Sequence, residues 1–256
     1  MEAVKLALEV KSLCIGYGDH VVLQDLSFTV PARSIFAIMG ASGCGKSTLL
    51  HALIGLLRPS AGAVLFRDQD YWSLDDAGRG RIGRRFGVLF QQSALWSTLT
   101  AAQNVALPLQ LFTRLDATAI DALVELKLSL VGLTEGRTVL PAELSGGMAK
   151  RVGLARAIAL DPDILFLDEP SAGLDPVASE RLDQLILQLR NGFGVTIVMV
   201  SHELPSLYAI CDDGIFLDAA SHTAIAHGAP RQLRDGCTEP TVSAFMHRTD
   251  PVHAGA

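Results

Sequence analysis

The chain has 256 residues, 49% of them apolar and 19% charged, a globular balance with no low-complexity tract or internal repeat. A formal charge of −6 argues against nucleic acid as a partner, because nucleic-acid binders carry a basic footprint, and four cysteines without ligand spacing or framework density point to a reducing compartment. With no basic leader and no stretch near the ~18 apolar residues of a membrane span, the chain is expected to serve a membrane only through a partner.

In chain order, Lys5 to Val10, Val21 to Val30 and Ser34 to Met39 read as strands, the first two separated by the turn Gly16-Tyr17-Gly18-Asp19. They predict a small antiparallel layer that feeds a buried strand. Gly40 to Gly45 is a glycine-rich loop, and Lys46 to Leu57 carries apolar residues at helical spacing until Pro59 stops it. Arg79, Arg81, Arg84 and Arg85 read as a solvated edge, and Phe86 to Phe90 as a buried strand. From Ser93 to Pro141 the chain is mainly helical, with Leu123, Leu126, Leu130 and Leu133 as one stripe. Ser145 opens a helix through Leu160. Ile164 to Leu167 is an all-apolar run and Val195 to Val200 is apolar but for Thr196, the mark of parallel strands buried on two faces. Between them Asp175 caps a helix with Pro176 in its first turn and Leu182, Leu185, Ile186 and Leu189 on its apolar face. The end predicts a strand from Ile215, a hairpin around Ala226 and Gly228, and short helices from Pro230 and Pro240.

Gly40-Ala41-Ser42-Gly43-Cys44-Gly45-Lys46-Ser47, followed by Thr48, fits G-x-x-x-x-G-K-[ST] between a strand and a helix. Its glycines let backbone amides wrap phosphates at a helix N-terminus; Lys46 reaches the β- and γ-phosphates and Ser47 holds Mg²⁺. ATP and Mg²⁺ are the expected cofactors. The Cys44 thiol is expected either to be thiolate-rich, since a helix N-terminus and Lys46 both lower thiol pKa, or to be a small buried residue that fits the loop. Ile164-Leu165-Phe166-Leu167-Asp168-Glu169 sets two carboxylates at the end of an apolar strand, where ligands of open α/β sheets sit, although strand-end acids can also simply be solvated. Beside a phosphate loop, Asp168 is expected to bind Mg²⁺ and Glu169 to align the attacking water. Leu144-Ser145-Gly146-Gly147-Met148 reads as a helix N-terminus that offers amides and a hydroxyl to an anion, or as a helix cap alone.

Together with Ser171-Ala172-Gly173-Leu174-Asp175 and Ser201-His202, these motifs in this order resemble the nucleotide-binding domain of ABC ATPases, from about Glu2 to Pro230. The resemblance implies an α/β P-loop NTPase fold of ABC type: a mostly parallel central sheet flanked by helices, an N-terminal antiparallel β layer and a helical subdomain. Residues 1–92 and 142–230 would form the core with the antiparallel layer, 93–141 the helical subdomain and 231–256 a C-terminal tail. It further implies that Tyr17 stacks on adenine, that Gln91 touches the metal and links the nucleotide to a transmembrane partner, and that His202 is a switch residue at the γ-phosphate. Taken alone, Tyr17 could simply cover a sheet edge, and a lone His202 would ordinarily be a structural or surface histidine. Ser145, Gly146 and Gly147 would bind the nucleotide held by a second copy of the chain, and Asp175 would cross that interface. Met148 departs from the family's frequent glutamine.

The stretches Val88 to Trp96, Glu143 to Arg151 and Ser201 to Asp212 are similar to the ATPases of Mce-type, maintenance-of-lipid-asymmetry transporters. This narrower resemblance implies an ATPase peripheral to the cytoplasmic face of a bacterial inner membrane, driving phospholipid transport with a permease, an Mce-domain protein and a small accessory subunit. Other readings are an ABC transporter of another substrate, a cassette that signals mechanically through a membrane protein, and a non-transporting ATPase of DNA or ribosomes. The last usually needs paired cassettes or a long coiled-coil insertion, and the chain has room for neither.

Overall fold

The computed structural model describes residues 5–249. Its strands are β1 (Leu6–Tyr17), β2 (His20–Pro31), β3 (Ile35–Gly40), β4 (Ala61–Phe66), β5 (Gln69–Asp70), β6 (Phe86–Leu89), β7 (Ile164–Asp168), β8 (Thr196–Val200), β9 (Asp213–Asp218) and β10 (Thr223–His227). Its α-helices are α1 (Lys46–Leu53), α2 (Asp76–Gly83), α3 (Ala101–Phe112), α4 (Ala117–Leu130), α5 (Gly146–Ala157), α6 (Pro176–Phe193), α7 (Leu204–Ile210), α8 (Pro230–Gly236) and α9 (Pro240–His247). An antiparallel sheet has the order β2-β1-β4-β5, and a second sheet has the order β10-β9-β3-β8-β7-β6, parallel except for β10.

The all-apolar strands follow from burial on both faces. Phe166, Val198, Phe36 and Ile38 face one cluster, shared with α1 and the antiparallel sheet. Leu165, Leu167, Ile197 and Met199 face another, built with α3, α4, α5 and α6. Ala37 and Met39 face a third with Phe216, Leu207 of α7, Leu233 of α8 and Val242 of α9. Each of these side chains larger than alanine contributes roughly 1.5–3 kcal/mol on burial. Parallel strands so clamped bring all their C-terminal ends to one edge, which positions everything below.

Several expectations need correction. β1 runs beyond Val10 to Tyr17, because a register shift around Ser12, left-handed at φ 42°, breaks the alternation that would have marked it. α1 stops at Leu53 instead of Leu57. In α4 the buried residues are Val124, Lys127 and Leu128, while Leu126 of the expected stripe is 51% exposed; the buried Lys127 stem carries its ammonium to Asp161. The arginine run does lie on the surface, with Arg81, Arg84 and Arg85 exposed and Arg79 half-buried, but Arg79 and Arg81 lie in a helix, α2, capped by Asp75, and Arg85 pairs with Asp163. The β9–β10 hairpin turns at residues 219–222, with His222 left-handed at φ 56°, so Ala226 lies inside β10 and Gly228 after it. The helices from Pro230 and Pro240 are present as α8 and α9.

Candidate functional site

The loop between β3 and α1 needs glycine at two points above all. Gly40 has φ 143°, and a Cβ there would lie 2.4 Å from the Leu217 carbonyl oxygen and 2.5 Å from Cys44 Sγ. Gly45 is left-handed at φ 97° as the N-cap of α1, with no side-chain cap. The first-turn amides of α1 therefore have no partner inside the helix and form an anion site. Lys46 Nζ donates to the carbonyls of Gly40 and Ala41, 2.8 Å each, so the ammonium is held over the loop.

Above this loop lies a cleft of about 680 Å³. Gly40, Ala41, Ser42, Gly43, Gly45, Lys46, Ser47 and Thr48 line it together with Gln91, Glu169 and His202. Residues from four separate stretches of sequence thus converge where β3, β6, β7 and β8 end. His20, Val22 and Phe245 also line the cleft, and sequence reasoning missed all three. His20 and Val22 follow the turn at Tyr17 and could have been inferred from it; nothing in the sequence marks Phe245, which α9 delivers against Phe216 of β9 with ring centroids 5.0 Å apart. Tyr17, at the end of β1, is 54% exposed and does not line the cleft.

β7 ends in Asp168 and the chain turns at Glu169, which is left-handed at φ 47° and buried. A non-glycine residue held there is backbone strain of the kind that collects at functional sites. Glu169 Oε1 lies 2.7 Å from His202 Nδ1, within hydrogen-bonding reach, and the amide of His202 donates to Oε2 at 3.4 Å. His202 Nε2 lies 3.6 Å from the Glu203 carboxylate. Asp168 is buried, and its Oδ1 has no hydrogen-bond partner among the described residues. Burial, then the Glu169 carboxylate, raise its pKa above the ordinary aspartate value, against weaker pulls from His51, Lys150 and Lys46. An orphaned, desolvated carboxylate oxygen beside a phosphate loop is the donor a divalent cation fits.

Cys44 resolves its two expectations in favour of the small buried residue. It is 2% exposed, and burial pushes its thiol above the ordinary value despite the Lys46 ammonium 3.9 Å away. Both observations argue against a thiolate-rich Cys44.

Ser145, Gly146, Gly147 and Asp175 lie outside the cleft. Ser145 caps α5, its Oγ accepting from Met148 N at 3.3 Å, and Ser145 and Gly146 are exposed. Asp175 caps α6 through Oδ1, which accepts from Val177 N and Ala178 N at 3.0 Å. A Cβ on Gly147 would lie 3.8 Å from Leu174 Cδ2 and 4.0 Å from Ala178 Cβ, which places the first turn of α5 against the start of α6.

Residues 23–172 match the sequence profile described as ABC transporter. The chain is 37% identical over 245 residues to the intermembrane phospholipid transport system ATP-binding protein MlaF of Escherichia coli, covering 96% of this chain and 90% of that protein. It is 37% identical over 242 residues to the probable ribonucleotide transport ATP-binding protein mkl of Mycobacterium leprae, covering 94% of this chain and 69% of that protein. Among solved structures, the ATP-binding cassette MJ0796, described as a dimer in a post-hydrolysis state bound to ADP and Pi, superposes with a TM-score of 0.78 at 29% identity, covering 86% of this chain and 97% of that one.

Proposed function

The chain belongs to the ABC transporter family as an ATP-binding, ATP-hydrolysing subunit, and from that membership we propose that it drives phospholipid movement between membranes as one of two nucleotide-sandwiching copies. The observation that carries the catalytic half is the convergence of the phosphate loop, Gln91, Glu169 and His202 on one cleft. The phospholipid half is supported by the likeness to MlaF over nearly the whole chain.

In this reading the α1 amides and Lys46 take the phosphates, and Tyr17 offers adenine a ring from the rim. Ser47, Gln91 and Asp168 would hold Mg²⁺ with water and phosphate oxygens; among the described residues no three His, Cys, Asp or Glu gather, so the ion would not have an all-carboxylate cage. The ion would supply charge neutralisation at the β- and γ-phosphates. Glu169 polarises the attacking water by accepting its proton, and its contact with His202 Nδ1 holds the carboxylate in place while the imidazole faces the γ-phosphate. Negative charge growing on the leaving phosphate is met by Lys46 and the loop amides. The exposed caps of α5 and α6 complete the site on the other copy, Ser145 and Gly147 on the γ-phosphate and Asp175 across the interface.

No helix of the described residues is long and apolar enough to cross a membrane. Contact with a permease is supported by a groove of about 600 Å³ between β6, α2 and α3, which includes Phe90 and Ala94 beside Gln91 and the exposed Trp96, Leu111 and Phe112. Such an apolar patch next to the nucleotide cleft suits a coupling surface. An Mce-domain protein and a small accessory subunit complete the assembly proposed, with this chain peripheral to the cytoplasmic face of the inner membrane.

The test is to purify the chain from membranes with its permease, reconstitute the complex, and follow labelled phospholipid between two vesicle populations. ATP-dependent transfer that disappears with Glu169→Gln is expected. ATP turnover without lipid transfer would overturn the lipid assignment, and ATP-driven ribonucleotide uptake instead would favour the function named for mkl.

A further inference from the structure

The turn that carries Glu169 has a support from another part of the chain. Lys150, in the second turn of α5, is buried at 6% exposure, and its Nζ donates to the Glu169 carbonyl oxygen at 2.8 Å. The same oxygen accepts from Ala172 N at 3.2 Å, closing the turn, while Glu169 N donates to Val200 O at 2.9 Å. Glu169 is thus fixed in its left-handed conformation from three sides: by β8, by its own turn and by α5. An apolar side chain would fill this buried position at far lower desolvation cost than an ammonium, so the charge needs a reason. Its surroundings give one, because Glu169 and then Asp168 act on Lys150 as compensating charges against its burial.

α5 begins at Ser145, the cap assigned above to the nucleotide of the other copy. One rigid helix therefore carries at its exposed end a contact for the partner's site and, five residues on, a bond to this chain's own carboxylate. We propose that Lys150 is a positioning residue for Glu169, holding the turn that presents the carboxylate and tying it, within one chain, to the helix that reads the partner's nucleotide. The inference rests on the roles proposed above for Glu169 and for the start of α5. Docking of the partner's phosphate on α5 would be felt at Glu169 through Lys150, a physical link between the two halves of a sandwiched pair.

The experiment compares Lys150→Met, Lys150→Gln and Lys150→Arg in the full chain by ATP turnover and by equilibrium binding of a fluorescent ATP analogue, with Glu169→Gln as reference. Lys150→Met should lower kcat about tenfold or more and leave KM and nucleotide affinity within about twofold, because the phosphate contacts are untouched. Lys150→Arg, which keeps a charged donor, should recover kcat to within about threefold of wild type, with Lys150→Gln between the two. If Lys150→Met does not fold, the Gln variant carries the same comparison against Arg. In the Glu169→Gln background, Lys150→Met should leave ATP-driven pairing unchanged, since Ser145 and Gly147 are intact. Wild-type kcat in the Met and Gln variants, or loss of pairing in the double variant, would overturn the inference. Full turnover by Glu169→Gln alone would instead overturn the catalytic reading of Glu169 on which it rests.

Discussion

The cleft over the phosphate loop and the exposed start of α5 both present the amides of a helix N-terminus, yet only the cleft is furnished. Around α1 the chain supplies Lys46, Glu169, His202 and Gln91 from separate strand ends. Around α5 it supplies the cap Ser145, two glycines and the neighbouring cap Asp175, none of which lines the cleft. In the function proposed above, the first region would be a site that lacks a lid and the second a lid that lacks a site. A second copy turned to face the first would complete both at once, and MJ0796, described as a dimer, gives that arrangement a precedent among similar folds.

The largest effect should come from breaking the furnished side. Glu169→Gln keeps the size and loses the base, so turnover should fall by about a thousandfold, the scale of general-base loss. ATP affinity should remain, and closed pairs should accumulate by gel filtration. Loss of ATP binding instead would mean that Glu169 shapes the cleft.

A smaller effect concerns Cys44, inside that same loop. Burial and a raised thiol pKa predict that a maleimide leaves Cys44 unmodified with or without nucleotide, as read by peptide mapping. Cys44→Ser should retain turnover within about threefold, since packing and not thiol chemistry is at stake. Rapid labelling would show that the loop opens.

How much of this was legible in the sequence differs between the two regions. The phosphate loop, Asp168 and Glu169 could be placed because β3 and β7 are apolar on both faces and end at marked residues. The caps at Ser145 and Asp175 could be placed because helix starts carry chemical signals. Illegible were contacts between distant segments: Lys150 to Glu169, Phe245 into the cleft, and Lys127, which breaks the apolar pattern of α4 because its charge finds Asp161. No strand or helix was expected across residues 61–83, for a local reason. β4 opens on Ala61 and Gly62, and α2 holds three glycines and two arginines, so neither shows a periodic apolar face; only the cap at Asp75 marked the helix.

The smallest effect sharpens the lid side. Asp183 of α6 is buried, and its Oδ1 has no partner among the described residues. Burial raises its pKa, opposed by the Ser206 hydrogen bond and reinforced by Glu180. A carboxyl with a higher pKa folded than unfolded binds more protons in the fold. Its contribution is therefore most favourable at low pH and weakens as pH rises from the ordinary aspartate value through the raised one. Asp183→Asn should remove that slope, so that the melting midpoint of the variant gains on wild type from acid to neutral pH. A difference that does not change with pH would contradict the burial argument.

The most direct test of the account asks whether lid and site act across two copies. Lys46→Ala disables the cleft and leaves the start of α5 intact, whereas Ser145→Arg blocks α5 and leaves the cleft intact. Each variant alone should be inactive. Mixed in equal amounts, about half the pairs formed by random association carry one complete site, and ATP turnover should rise clearly above both parents, to within about tenfold of wild type. Turnover no higher than either parent, with mixed pairs verified by differential tags, would contradict the sandwich.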